Sequence, residues 1–314
     1  MRRFSGVWLA LLAFFAVPLS SALSSDPRLL SLVPPGAQII AGMDSPAPPG
    51  RPGSFVLITR NNTIDLDDFF ALTGVDSTRR VHHAVFAAIG DTRGALSEHT
   101  LMMSGHFDAA HIYKSAVDSG QQSINYRGVT LLQIQPFARE LNEFTEVRWL
   151  AIPDPGLLIF GSVSSVREEL DRYLANTTAD AALVSRLAHL HNDDETWCVM
   201  YAPSQSDDVR KALWAFDSKL AELVGNGDEF EFGIRFRKQV EFEYEVTTAS
   251  AAATHSISAS LKQSLTGLGM GSSLLPDNDV TVRDKTVRSL IKIPVQRYSD
   301  WLAEVSKREH GGNS

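Results

Sequence analysis

Cysteine is almost absent from this chain of 314 residues, in which Cys198 is the single one. A chain with one cysteine forms no internal disulfide, so its stability has to come from a buried core. Cys198 lies in the apolar run from Trp197 to Tyr201, with no histidine close to it in sequence. A cysteine in such a run usually behaves as a small hydrophobe, and the pattern does not favour a nucleophile.

The chain also lacks an excess of positive charge. The 29 lysines and arginines stand against 37 aspartates and glutamates, which gives a formal net charge of −8. Nucleic-acid-binding proteins present a basic face, and basic residues bind anionic membrane surfaces, so neither partner is expected. With 44% hydrophobic and 21% charged residues, the composition is typical of a globular protein. The partner class that remains is a protein or a small-molecule ligand, which the sequence does not identify.

Catalytic motifs are missing as well. No GxSxG, HExxH, Walker or GxGxxG pattern occurs, so no catalytic residue and no cofactor are predicted. Ser104, His106 and Asp108 do stand close together in sequence. Members of a catalytic triad usually come from separate elements, however, and these three are better explained as a turn and a helix cap.

Metal-ligand spacing is not found either. The weak candidates are His189, His191, Asp193 and Asp194, whose imidazoles and carboxylates could in principle bind a cation. Their spacing matches neither a zinc site nor a calcium loop, and we interpret them as part of a polar loop before a strand. His82 and His83 are neighbours in a predicted strand, so their rings point to opposite faces.

The one pronounced apolar run is at the N-terminus. Arg2 and Arg3 precede an apolar stretch over 7–17, Pro18 breaks it, and Ser20-Ser21-Ala22 offers small residues for cleavage. This is the layout of a signal peptide over 1–22, and the run is short for a membrane span, which needs about 20 apolar residues. We therefore expect a periplasmic or extracellular protein without a membrane span after cleavage. The alternative is an uncleaved signal that anchors an envelope component.

The order of predicted elements is the same in two regions. Residues 37–135 and 195–295 each read strand, helix, strand, strand, helix, strand. That order predicts an α+β protein of two ferredoxin-like units with antiparallel sheets, an internal duplication. The predicted domains are a first unit over 23–135, a connecting β-β-α segment over 136–194, a second unit with a C-terminal helix over 195–308, and a disordered tail over 309–314.

Two local patterns are specific enough to test. Ser164 or Ser165 is predicted to cap a helix with an apolar stripe formed by Val166, Leu170, Tyr173 and Leu174. Hydrophobic and charged residues alternate in the predicted hairpin over 230–246, so we expect the hydrophobic face to be buried and the charged face to be exposed to solvent. Counting opposite-charge pairs places Phe236 opposite Phe242 rather than opposite Val240.

The stretch from Leu29 to Met43, directly after the signal peptide, and the segment from Gly105 to Ile112 resemble a group of exported bacterial proteins with no known activity. The resemblance implies a similar α+β chain and transfers no site residue. The sequence departs from that group after Asp44, where Pro-Ala-Pro-Pro-Gly replaces a helix-rich segment.

Together these patterns predict an exported, non-catalytic binding or scaffolding protein. The alternative in another class is a hydrolase whose site is assembled from dispersed residues.

We expect the exported protein to begin at or near Leu23, because the small residues that end at Ala22 form the cleavage site. N-terminal sequencing of the exported protein checks this. An intact Met1 on protein from the envelope fraction would favour the anchored alternative.

Overall fold

The computed structural model describes residues 26–44, 56–59, 62–65, 81–90, 96–134, 148–187, 196–201, 228–267 and 279–297. The helices are α1 (Pro27–Leu32), α2 (Ala109–Asp118), α3 (Val163–Leu174), α4 (Ala181–Leu187) and α5 (Ala251–Gly267). The strands are β1 (Ile39–Asp44), β2 (Val56–Thr59), β3 (Asn62–Asp65), β4 (Val81–Gly90), β5 (Leu96–Gly105), β6 (Ser123–Tyr126), β7 (Val129–Ile134), β8 (Arg148–Asp154), β9 (Leu157–Gly161), β10 (Thr196–Tyr201), β11 (Glu229–Phe236), β12 (Gln239–Thr247), β13 (Asp279–Arg283) and β14 (Thr286–Pro294).

The chain divides into two compact units. We call residues 23–91 and 96–189 the amino-terminal unit, and residues 190–314 the carboxy-terminal unit. Both contain antiparallel sheet and helix, so the predicted α+β class is confirmed. No helix among the described residues is both long and apolar enough to cross a membrane.

The amino-terminal sheet has the strand order β1-β4-β5-β9-β8-β7-β6, and each neighbouring pair is antiparallel. One face carries α2, whose Ile112 and Ala116 join a buried cluster with Leu101 and Met103 of β5. The residues that alternate with these on β5 face the other way. That second face is covered by α1, which contacts β4 and β5, and by α3, which contacts β5, β8 and β9.

Local chemistry explains where these helices begin. The side chain of Asp26 accepts the Arg28 N–H at the start of α1, and that of Asp108 accepts the His111 N–H at 3.0 Å at the start of α2. The predicted cap at Asp108 is therefore confirmed. The predicted cap of α3 is wrong by two residues or more, because Ser162 is the residue whose Oγ accepts a helix N–H, from Ser165 at 3.1 Å.

The carboxy-terminal sheet has the order β13-β14-β12-β11-β10, again antiparallel throughout. Its α5 packs against β13 and β14. A buried hydrogen bond of 2.9 Å between the hydroxyls of Thr248 and Thr254 ties the start of this helix to the end of β12.

The ferredoxin-like strand order is not observed in either unit. A split β-α-β unit places a third strand between the two strands that flank its first helix. Here β1 pairs directly with β4, and β10 pairs directly with β11, both antiparallel. The order of elements along the chain does not specify which strands become neighbours, and this is why the prediction failed. The duplication is not confirmed: β9 lies next to β5 in one sheet, whereas β14 lies next to β12 in the other.

The segment over 136–194, predicted as a connection, contributes to the amino-terminal unit. Its strand β9 pairs with β5 and its strand β8 pairs with β7. Its helix α3 then lies on the same sheet. The helix predicted over 65–72 begins at Asp65, which the structure places at the end of β3, and its residues 66–72 lie outside the described residues. The helix predicted from Ser206, the signal peptide and the tail over 309–314 also lie outside them.

The register of the β11–β12 hairpin differs from the prediction. Phe236 lies opposite Val240 and Arg235 lies opposite Glu241. The two aromatic sets do share one face, but the charge argument was wrong because it counted only pairs directly opposite within the hairpin. Arg235 reaches Glu241 at 2.9 Å and also the diagonal Glu243 at 3.6 Å.

The third strand, β14, completes the ion pairs. Its Lys292 lies 3.8 Å from Glu241, and its Arg288 pairs with Glu243. The charged face is also less wet than expected, since the side chains of Arg235 and Glu243 are only 5% and 3% exposed. A buried charge is tolerated when it is paired and hydrogen-bonded, which these contacts provide.

We expect Arg235→Met to lower the free energy of unfolding by about 3–5 kcal/mol, because it leaves the buried Glu243 with fewer cationic partners. Lys292→Met is the matched control: the Lys292 side chain is one-third exposed, and the loss should stay below about 1 kcal/mol. Chemical denaturation measures both. Equal losses would contradict the assignment of Arg235 as the central cation of this sheet.

Candidate functional site

A crevice lies between α3 and the sheet of the amino-terminal unit. The gaps between its lining atoms total about 180 Å³ with the solvent at the mouth included, and none of these gaps is wide enough for a water molecule. Its lining combines apolar side chains with carboxyl and hydroxyl groups. The residues that line it are Pro34, Ala87, Ile89, Glu98, His99, Thr100, Ser165, Glu168 and Glu169. We call it the Glu169 crevice.

Glu169 belongs to the buried stripe of α3, together with Ser165, Val166 and Leu170. Residues three and four apart on a helix share a face, so the same turns that bury Val166 and Leu170 also carry Ser165 and Glu169 onto the sheet. The side chain of Glu169 has no exposed surface, and neither of its carboxyl oxygens forms a hydrogen bond of good geometry, although the Thr100 hydroxyl lies close enough to lower its pKa. A buried polar group without a partner is costly and calls for an explanation.

The environment of Glu169 favours its neutral form. Burial raises its pKa to about 8, and the nearby carboxylates of Glu168 and Glu98 act in the same direction. The Thr100 hydroxyl and the Arg172 guanidinium lower the pKa but do not offset burial. At pH 7 the carboxyl group is therefore mostly protonated.

Hydroxyl groups form a chain at the start of α3. The Oγ atoms of Ser162 and Ser165 lie 2.8 Å apart, as do those of Ser162 and Ser164. Ser164 Oγ donates to Glu98 Oε1 at 3.3 Å. This chain fixes the first turn of the helix and holds the Glu98 carboxylate at the crevice.

His99 lines the crevice from β5, but its ring belongs to the opposite face of the sheet. Alternation along β5 places His99 with Leu101 on the α2 side, and its ring lies 6.2 Å from that of Phe86. Burial and the neighbouring Arg148 lower the pKa of His99 to about 3, so this imidazole is neutral. We do not assign it a role in the crevice.

The predicted turn residues Ser104 and His106 lie at a different place, where β5 ends. Ser104 is buried near Asp26. Burial raises the pKa of the Asp26 carboxyl, but the N–H groups of Arg28 that donate to it, together with the nearby Ser104 hydroxyl, hold that pKa below its ordinary value. The exposed His106 packs edge-on against His82 with ring centroids 4.9 Å apart. Asp108 serves as the cap of α2, so the three residues do not form a triad.

The pKa of His82 is lowered by burial and by its neighbours His106 and His83, while Asp26 raises it. Asp26, His83 and His106 therefore all lie within electrostatic reach of His82. Among the described ranges, no group of three or more histidine, cysteine, aspartate or glutamate side chains could hold a metal ion. The candidates His189, His191, Asp193 and Asp194 lie outside those ranges.

Cys198 is buried in β10, and burial raises the pKa of its thiol. A thiol that stays protonated is a poor nucleophile, in agreement with its interpretation as a core residue.

Sequence reasoning did not select Glu169. The pair Glu168-Glu169 resembles the solvated side of an amphipathic helix, but a signal was present, since Glu169 stands three residues after Val166 and next to Leu170. A helical projection places it inside the apolar stripe.

Comparison with known proteins found no matching family model and no matching curated protein. Two solved structures show partial similarity to the chain, crystal forms I and IV of TP0453. The first has a TM-score of 0.46 and 15% identity, and covers 89% of this chain and 98% of TP0453. The second has a TM-score of 0.47 and 13% identity, and covers 90% and 97%. At these values the likeness carries no argument about fold or function.

The raised pKa of Glu169 predicts that the free energy of unfolding depends on pH. The folded state binds this proton more tightly than the unfolded state, so between the ordinary pKa of 4.5 and about 8 stability falls as pH rises. Glu169→Gln removes this dependence. We expect the two proteins to be similar in stability at pH 4.5, with the wild type falling behind by up to about 1.4 kcal/mol per pH unit above it.

Urea unfolding at several pH values measures the difference. Glu168→Gln is the control, because Glu168 is exposed and its removal should leave the pH dependence close to that of the wild type. A difference between wild type and Glu169→Gln that does not change with pH would show that Glu169 is ionised in the folded protein.

Proposed function

We propose that the chain is an exported, non-catalytic binding protein of the periplasm or cell exterior, and that a small-molecule ligand occupies the Glu169 crevice. The observation that carries the proposal is the fully buried carboxyl group of Glu169, which lines the crevice and whose oxygens form no hydrogen bond of good geometry. Perturbed titratable groups in concave sites are candidates for function.

The composition of the crevice supports ligand binding. Small-molecule sites combine apolar walls with a few polar groups that converge on one point. Here Pro34 and Ile89 contribute apolar surface, while Thr100, Ser165 and Glu169 contribute oxygen atoms. A bound ligand would provide the partner that Glu169 lacks, and this gain favours the occupied form.

The alternative is a hydrolase assembled from dispersed residues. The feature that favours it is the neighbourhood of Ser104, Asp26 and His82 where β5 ends. Ser104 is only 2% exposed, however, and Asp26 is engaged with Arg28 at 3.3 Å. A nucleophile has to reach its substrate, so this arrangement supports hydrolysis less well than the crevice supports binding.

A variant that fills the crevice tests the binding proposal. We expect compounds from a library of small amines, acids and alcohols to raise the melting temperature of the wild type, and Ile89→Trp to abolish the effect, because the half-buried Ile89 lines the crevice. Val184→Trp is the control, since Val184 is exposed on α4 and does not line it.

Differential scanning calorimetry of the three proteins gives the answer. Stabilisation that persists in Ile89→Trp would place binding elsewhere and contradict the proposal, as would a library in which no compound stabilises the wild type.

A further inference from the structure

Strand β13 forms one edge of the carboxy-terminal sheet as far as the structure describes that sheet, where β14 is its neighbour. Thr281, Val282 and Arg283 are exposed, and Val282 keeps 38% of its surface in contact with solvent. Proline, lysine and bulges often protect an edge from pairing, but this strand contains neither residue and its register with β14 is unbroken. Such an edge is a template for a further strand.

The turn after β13 determines which of its backbone groups point out of the sheet. Two residues join β13 to β14, so Arg283 and Thr286 flank the turn and face each other. The pair that flanks such a turn is hydrogen-bonded, and hydrogen-bonded pairs alternate along antiparallel strands. The backbone groups of Arg283 therefore point to β14, whereas those of Val280 and Val282 point away from it.

The sequence of β13 is complementary to itself. A second, antiparallel copy of the strand that is centred on Thr281 brings Val280 of each chain opposite Val282 of the other. These are the residues whose backbone groups point outward, so each pair exchanges two hydrogen bonds. The same register brings Asp279 of each chain opposite Arg283 of the other. Opposite charges that face each other across antiparallel strands stabilise the pairing.

Two features favour this register over its neighbours. Registers centred on Val280 or Val282 would also form hydrogen bonds, but they separate Asp279 from Arg283 and leave one end of each strand unpaired. In addition, Val282 lies opposite the buried Val287 of β14 and therefore shares its face of the sheet. Pairing centred on Thr281 places Val280 of the second copy beside Val282 on that face, and the apolar surface covered in this way favours association.

We infer that two copies of the chain associate through their β13 edges, in an antiparallel two-fold pairing centred on Thr281. The interface is isologous, because the same five residues take part on both sides. A stable interface has roughly 20–30 residues a side, so this association is weak, reversible and dependent on protein concentration. The inference goes beyond the proposed binding function and does not rest on it.

Sedimentation equilibrium of the full exported chain between about 5 µM and about 1 mM tests for association. We expect a monomer–dimer equilibrium in this range. Val282→Pro should abolish it, because proline removes an outward N–H and leaves the hydrogen bonds to β14 intact. Val282→Thr is the matched control: it keeps the N–H and a β-branched side chain, and should keep the dimer.

Two results of this experiment would overturn the inference. One is a dimer that forms as readily in Val282→Pro as in the wild type, since the edge would then not be the interface. The other is a wild type that stays monomeric at every concentration, which would leave a strand of a different protein as the occupant of the edge.

Charge reversal tests the register. Asp279→Arg and Arg283→Asp should each lower the association constant about tenfold or more, because like charges then face each other twice in the dimer. The double variant exchanges the two charges and should restore the association constant of the wild type. Single variants that associate as well as the wild type, or a double variant that associates no better than the single ones, would contradict the register.

A disulfide tests the position of the two-fold axis. Thr281→Cys brings the same residue of both copies into a non-hydrogen-bonded pair, with Cα atoms about 4.5 Å apart and within reach of a disulfide. In Val282→Cys the two cysteines are offset along the strands by two residues, which is too far. We expect mild oxidation to cross-link Thr281→Cys, and not Val282→Cys or the wild type, whose Cys198 is buried.

Equal cross-linking of the two cysteine variants would indicate random collision or another register, and would overturn the inference. Circular dichroism of each variant confirms that it is folded. If Val282→Pro fails to fold, the charge reversals and the cysteine variants still decide the question, because their substitutions lie on an exposed edge and leave the hydrogen bonds to β14 in place.

Discussion

The amino-terminal unit depends on the pairing of β5 with β9. This pairing places Thr100 opposite Gly161 and brings α3, which follows β9 directly, onto the sheet. A side chain at Gly161 would meet the His99 carbonyl oxygen at 2.7 Å, so glycine is required for the strands to approach. Glu169 lies about two turns into α3. Its side chain is buried because this face of the helix packs against the sheet. The unpartnered carboxyl is thus a consequence of how the sheet is assembled.

Alternation and turn residues predicted most of the individual elements. The strands around His82, Met102 and Leu158 and the cap at Asp108 follow from local patterns. Local patterns did not predict which strands are neighbours in the sheets. They indicate that a segment is extended, but not which segment it pairs with. The hairpin shows the same limit: the charges of Glu241 and Glu243 are balanced partly by β14, which is distant in sequence.

The candidate site was beyond sequence reasoning for a related reason. The position of Glu169 in the apolar stripe of α3 could be read from the spacing of Val166 and Leu170. Its burial depends on the strands beneath it, and its raised pKa depends on Glu98, which is on β5. Conversely, Ser104, His106 and Asp108 are adjacent in sequence and serve separate roles, which illustrates that proximity along the chain is a poor guide to chemistry.

The interpretation of this unit depends on Glu169 carrying a proton in the free protein at neutral pH, because Thr100 and Arg172 do not offset the burial of its carboxyl group. The direct measurement is a pH titration of its side-chain carboxyl carbon by NMR, with Glu169→Gln to assign the resonance. The account predicts a midpoint near 8, as burial requires. A midpoint near the ordinary value of about 4.3 for glutamate would contradict it, because the carboxylate would then be solvated or already paired.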